Sequence, residues 1–333
     1  MLKKFLKATA LILALCLPII CFCSCKKDEE GLKKITLSEV THSVFYAPQY
    51  AAIELGFFEE EGLEIELSTG QGADAVAAAV LSGQVDVGFA GPEAAIYVDT
   101  EGRDHYLKVF AQMTQRDGSF LIAREENADF KWTDLKGAHI LPGRKGGVPY
   151  MTFEYILKQN GIDTENDVYL DNSVQFAMMT SAFVAGTGDY TTAFEPTGSM
   201  LESEGKGYVV AAVGSEAGEI PYTAYFTSKK FIEENPDTVQ AFANAVAKGE
   251  KWCAEHTAAE IAEVVAPAFP DTEMSLLTSS IQRYIDIDAW CDTPVMKEES
   301  FNRLQDVMTS AGELEKRADF SDVVDNSFAK KAS

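Results

Sequence analysis

The segment from Ser43 to Gly102, with the short run just before it, constrains the fold most, because its apolar pattern switches period repeatedly. Ile35 to Val40 reads as a strand, Pro48 to Leu55 as a helix, Glu64 to Leu67 as a second strand, Ala73 to Ser82 as a second helix and Val85 to Phe89 as a third strand. The Gly-rich turn Thr69-Gly70-Gln71-Gly72 precedes the second helix. Alternation of this kind specifies a parallel sheet covered by helices. In such sheets ligands bind beyond the carboxyl ends of the strands, where helix N-termini aim unpaired backbone N–H groups at the crevice. The loops Thr41 to Ala47, Ser68 to Gly72 and Ala90 to Glu93 lie at that edge and are expected to form half of a pocket.

The chain is long enough for a second such unit: 333 residues, 46% of them hydrophobic, can bury a large core and suit two domains. Tyr106 to Thr114 and Phe120 to Arg124 read as strands, separated by the turn Asp117-Gly118. A second alternating block opens with WTDLKGAHILPGRKGGVPYMTFEYILKQNGI. It predicts strands over Ala138 to Leu141, Val168 to Leu170, Gly188 to Phe194 and Val209 to Val213, with helices over Pro149 to Gln159, Gln175 to Ala185 and Thr197 to Glu204. The segment PYTAYFTSKKF has the alternation of a return strand. From Asp237 the pattern turns helical, over Asp237 to Glu255, Ala258 to Ala266, Glu273 to Ala289 and Glu298 to Ala311.

The N-terminus reads as an export signal. Lys3, Lys4 and Lys7 form a basic region, Leu11 to Phe22 an apolar one, and Ser24 precedes Cys25. The apolar run is short for a membrane span, so cleavage is expected. A small residue followed by Cys resembles a lipobox, although Phe22 stands where Leu is usual, and this makes Cys25 the expected lipidated first residue of the mature protein. Cys16, Cys21 and Cys23 leave with the signal; for Cys253 and Cys291 a disulfide and two buried thiols both stay open. Loss of residues 1–24 leaves 25 basic against 52 acidic residues, a net charge of −27, which repels nucleic acid. No CxxC or Cys/His spacing points to a metal.

APQYAAIELGFFEEEGLEIEL followed by LSGQVDVGFAGPEA resembles the solute-binding proteins of ABC importers in the nitrate, sulfonate, taurine and thiamine-precursor group, particularly the NMT1/THI5-like branch. The resemblance runs from about Ile35 into the C-terminal helices. It implies an α/β, two-lobed periplasmic-binding-protein fold of type II, two parallel-sheet domains joined by a two-strand hinge. The expected division is residues 1–24 as signal, 25–34 as tether, 35–117 with 224–333 as the first lobe and 118–223 as the second. It further implies a monomer that takes one small-molecule ligand without a cofactor and delivers it to permease and ATPase subunits from the outer face of a membrane, held there by its lipid.

Within that frame the candidate ligand-binding residues are Ser43, Phe45 and Tyr46 at the end of the first strand, Gln71 before the second helix, and Gly91 and Glu93 after the third strand. Phe45 and Tyr46 suit stacking in the cleft and core packing equally. Glu93 could serve only as a favourable charge in a first helical turn. Gly146 and Gly147, before Pro149, resemble the family's second ligand loop; Lys145 precedes them, so this is no phosphate-binding loop. Asp117, Ser119 and Tyr222 lie at the expected crossings. Glu195, between Phe194 and Pro196, is the sharpest candidate: the resembling glutamate of the thiamine-precursor branch faces the ligand's amino group, and a free carboxylate would repel nitrate or a sulfonate.

His42, His105, His139 and His256 show no metal spacing, and Trp132, Trp252 and Trp290 are expected to pack. The favoured ligand is therefore an amine-bearing compound such as a thiamine-precursor pyrimidine, with an alkanesulfonate, taurine or nitrate as the alternative. Catalysis of the THI5 type, which uses bound PLP and iron-binding cysteines, is not expected, because the only similar run, CFCSC, lies in the signal.

Overall fold

The computed structural model describes residues 31–70, 72–102 and 107–333. Cys25, the signal, most of the proposed tether, and Gln71 lie outside the described residues. Ten strands form two five-stranded sheets. They are β1 (Lys33–Glu39), β2 (Leu63–Thr69), β3 (Val87–Ala90), β4 (Leu107–Thr114), β5 (Phe120–Ala123), β6 (His139–Leu141), β7 (Tyr169–Leu170), β8 (Tyr190–Ala193), β9 (Tyr208–Ala212) and β10 (Thr223–Ser228). The first sheet has the order β2-β1-β3-β10-β4 and the second β7-β6-β8-β5-β9. The chain leaves the first sheet between Thr114 and Phe120 and returns between Ala212 and Thr223.

The sheets are not purely parallel as expected: β10 runs antiparallel to β3 and β4, and β5 antiparallel to β8 and β9. Both odd strands are the ones that enter a lobe directly from a crossing. Such a strand starts at the cleft edge, where β1, β3, β6 and β8 end, so it must run away from the cleft. The other departures are local. Gln175 to Ala185 is not one helix but a 3-10 turn, Phe176–Met178, followed by the helix Met179–Val184. The helix begun at Met274 stops at Asp286, before Asp288 takes a left-handed φ of 54°. Short helices at Phe57–Glu60, Val213–Ala217, Lys229–Glu234, Phe320–Val323 and Ser327–Ala332 carry too few turns for a periodic signal.

The first lobe is closed by the helix Pro236–Glu255, which buries Val239, Phe242, Ala243, Val246, Glu250 and Cys253 along one stripe. Phe242 meets Phe58, Phe110 and Tyr225 with ring centroids at 4.9, 5.6 and 5.1 Å, and Tyr225 stacks on Phe89 at 4.3 Å. This aromatic layer anchors the C-terminal helices to the strands that end at the cleft. Cys253 and Cys291 are both buried, free thiols. Among the described residues, no helix is long and apolar enough to cross a membrane.

Candidate functional site

The end of β1 passes into a single 3-10 turn, Val44–Tyr46, because the Ser43 hydroxyl accepts the Phe45 N–H at 3.2 Å and Pro48 then sets the first turn of the helix Ala47–Glu54. This turn drives Phe45 between the lobes. Its ring lies 5.8 Å from Phe194 of the second lobe, 5.6 Å from Tyr222 at the second crossing and 5.0 Å from Tyr284. Gly118, at the first crossing, is required here: a Cβ on it would collide with the Phe45 ring. Tyr46 packs edge-on against Phe89 at 4.6 Å. Both aromatics are buried, and Phe45 is where the lobes touch.

Around Tyr222 the structure gathers two carboxyl groups. Asp117 is fully buried; its Oδ1 accepts the Ser119 N–H at 2.7 Å and the Ser119 hydroxyl at 2.6 Å, while Oδ2 has no partner. Glu93, in the first turn of the helix Glu93–Thr100, is likewise buried and folds back over Gly91, with Oε2 unpartnered. The Tyr222 hydroxyl lies beside the Asp117 carboxyl, where it favours the ionised form, and close enough to feel Glu93 as well. Burial pushes the Glu93 and Asp117 carboxyls up to about 7 each, and the Tyr222 phenol well above its ordinary value. Five of the candidates, Glu93, Asp117, Ser119, Phe45 and Tyr222, thus meet, with Tyr46 beside them.

One expectation needs correction. Glu195 is buried, and its carboxylate is not free: Arg283 Nη1 donates to Oε1 at 2.6 Å, and the Ser199 N–H and Ser280 hydroxyl donate to Oε2 at 2.9 and 3.4 Å. Arg283 also pairs with Glu202. The Tyr284 hydroxyl accepts the Glu195 N–H at 2.9 Å. Glu195 therefore clasps the second lobe to the helix Met274–Asp286 and has little left for an amine. Gly146 and Gly147 precede a helix, as expected, in a loop that meets the first lobe. The Tyr97 hydroxyl reaches the Gly146 carbonyl at 3.4 Å across the cleft, and Gly147 N-caps the helix Val148–Gln159. Arg144, in the same loop, pairs with Asp74 of the first lobe at 3.4 Å.

A cavity of about 220 Å³ opens between Thr41–Ser43 of the first lobe and Phe176, Met179 and Glu195 of the second. His42, which the sequence marked only by its lack of metal spacing, is built into its wall. One ring nitrogen lies 2.9 Å from the buried Glu39 carboxylate and 3.0 Å from the Tyr50 hydroxyl, and the other lies 2.8 Å from the Ala268 carbonyl. With acceptors at both nitrogens the imidazolium is favoured, and the Glu39 hydrogen bond raises its pKa. Arg283, Tyr284, Tyr97 and His42 were missed because their partners lie far along the chain or carry no motif. Among the described residues, no three His, Cys, Asp or Glu side chains converge to hold a metal ion.

Two facing lobes joined by two crossings, with a buried polar site between them, define a two-lobed periplasmic-binding-type protein. The chain belongs to the NMT1/THI5-like family, whose model matches residues 44–260. It is 39% identical over 307 residues, 92% of each chain, to YtlA of Bacillus subtilis (strain 168), whose name describes a binding protein. Its fold is that of the alkanesulfonate-binding protein SsuA from Xanthomonas axonopodis pv. citri bound to MOPS, with a TM-score of 0.71, 16% identity and coverage of 88% of this chain and 98% of that one. The periplasmic nitrate-binding protein NrtA from Synechocystis PCC 6803 matches with a TM-score of 0.67, 15% identity and coverage of 90% and 88%.

Proposed function

We propose that this chain is the extracytoplasmic solute-binding protein of an ABC importer. It closes its two lobes over one small amine-bearing solute, an aminopyrimidine of the thiamine-precursor type foremost, and presents the closed form to a permease. It binds without catalysis, as a monomer, and lipid on Cys25 holds it at the membrane. The observation that supports the ligand class is the pair of buried carboxyl oxygens, Glu93 Oε2 and Asp117 Oδ2, left without partners around Tyr222. An amino group or ammonium would donate to both, and charge-assisted hydrogen bonds in a dry site are strong. Arg283 occupies Glu195, so Glu93 and Asp117 are the acids that would meet the amine.

The names of SsuA and NrtA favour a second reading, an alkanesulfonate or nitrate as ligand. The two readings part with pH. A cation needs the acids ionised, so its affinity rises as pH climbs through about 7. An anion is tolerated only when they are protonated, so its affinity falls over the same range. Calorimetric titration with an aminopyrimidine, taurine, an alkanesulfonate and nitrate at about pH 6 and about pH 8 separates them. Binding of a simple anion alone, weakening at the higher pH, would overturn the amine reading. Fatty-acid labelling of cells expressing the wild type and Cys25→Ala tests the anchor: label on both variants, or on neither, defeats it.

A further inference from the structure

A second cavity, of about 190 Å³, is built wholly from first-lobe residues and lies between the C-terminal ends of two helices, Pro236–Glu255 and Met274–Asp286, and the segment 288–292. Its floor is Glu250. That side chain is 1% exposed, and neither carboxyl oxygen has a hydrogen-bond partner, although a buried carboxyl group left unpaired is costly. Cys253, Cys291, Tyr284 and Trp290 also contribute to its lining, and the exposed Asp288 and Asp292 belong to the same lining.

The charged side chains in the lining are mainly acids, Glu250, Asp288 and Asp292, with Lys297 acting on Cys291 from outside it. Both helices end at this side of the fold, so the negative pole of each helix dipole lies here, although the carbonyls of Arg283, Tyr284, Ile285, Trp252 and Cys253 are already taken by local hydrogen bonds. His256, also in the lining, donates from Nδ1 to the Trp252 carbonyl at 2.6 Å. The nearby guanidinium of Arg116 is turned to Asp288 at 3.4 Å, on the rim. A cation is the complement of such a site. A bare metal ion does not suit it, since no three ligating side chains converge among the described residues. An organic ammonium needs less: one carboxyl group for its head, which Glu250 provides, and a partly apolar lining for its stem; burial raises the Glu250 carboxyl well above its ordinary value, so the ammonium binds as the Glu250 proton leaves. At roughly 30 Å³ for each water-sized group, the volume suits an amine of a few carbons.

We infer that this cavity is a second binding site, for a small organic ammonium ion, with Glu250 as its counter-charge. It is separate from the interlobe site and stands whether or not that site takes an amine. The test uses the mature chain and propylammonium chloride, followed by calorimetry and by amide NMR shifts. The expected result is saturable binding with one set of shifts at Cys253–His256 and Asp288–Asp292, distinct from any set at the interlobe cleft. Affinity read from the shifts at Cys253–His256 and Asp288–Asp292 should weaken at least about tenfold in Glu250→Gln, as for loss of one member of a buried charge pair, and that set of shifts should keep its midpoint in Glu93→Gln whatever happens at the cleft. If Glu250→Gln does not fold, the shift map of the wild type decides alone. No saturable binding, shifts confined to the interlobe cleft, equal affinity in Glu250→Gln, or tight Zn²⁺ binding that Cys253→Ser abolishes while propylammonium does nothing would each overturn it.

Discussion

The Glu195 carboxylate shows how one partner decides what a residue does. Alone it would be an acid facing the cleft; against Arg283 it becomes a clasp between the second lobe and the helix Met274–Asp286. Arg283→Met strands Glu195 as an uncompensated buried charge and should destabilise the protein by about 3 kcal/mol in urea unfolding, with part of the loss recovered in the double variant with Glu195→Gln. Glu93 and Asp117 make a second prediction. Their folded-state values of about 7 lie above the roughly 4 of an unfolded chain. Between those limits the native protein holds protons that the unfolded chain has released, so this pair's contribution to stability is greatest at or below about pH 4 and declines as pH rises to about 7. Unfolding at about pH 5 and about pH 7.5 should show a smaller difference in Glu93→Gln and Asp117→Asn than in the wild type. An unchanged difference would mean that neither acid is perturbed.

At the scale of elements, the alternation of strand and helix was legible because each period is set by local sterics and by one buried face. The helix Ala73–Leu81 and strand β1 fall within a residue or two of their expected ends. The direction of β5 and β10 was not legible, because a strand's own pattern of apolar residues reads the same in either direction. Only the crossings decide it. The first crossing depends on Gly118, whose missing Cβ admits the Phe45 ring. Gly118→Ala should cost about 1–3 kcal/mol through overpacking and weaken ligand binding, both measurable by calorimetry, whereas a neutral effect would show that Phe45 can move aside freely. In the aromatic layer, Phe242→Ala should cost about 3–5 kcal/mol in stability while leaving ligand affinity at a permissive temperature near that of the wild type, since no residue of the interlobe site touches the gap.

For the whole molecule, the two lobes meet through Phe45 on Phe194, Tyr97 on Gly146 and Arg283 on Glu195, so the arrangement described is one in which the jaws touch. Hinged lobes of this kind open by rotation at the crossings. In solution X-ray scattering, the ligand-bound protein should therefore be the more compact form, and Arg283→Met without ligand should be more extended than the wild type without ligand. Equal dimensions in all three states would argue against hinge closure. Five of the twelve candidate positions were brought together because they sit at strand ends and crossings, positions that topology alone selects. Glu195 also sits at a strand end, yet its partner lies 88 residues away, which no local signal reports.

By itself the sequence determined the layered α/β architecture and the edge on which a site would form, since periodicity and turn chemistry are short-range properties. The tertiary structure alone decided which of the acids at that edge stay unpaired, because pairing depends on which distant side chain folding brings within hydrogen-bond reach.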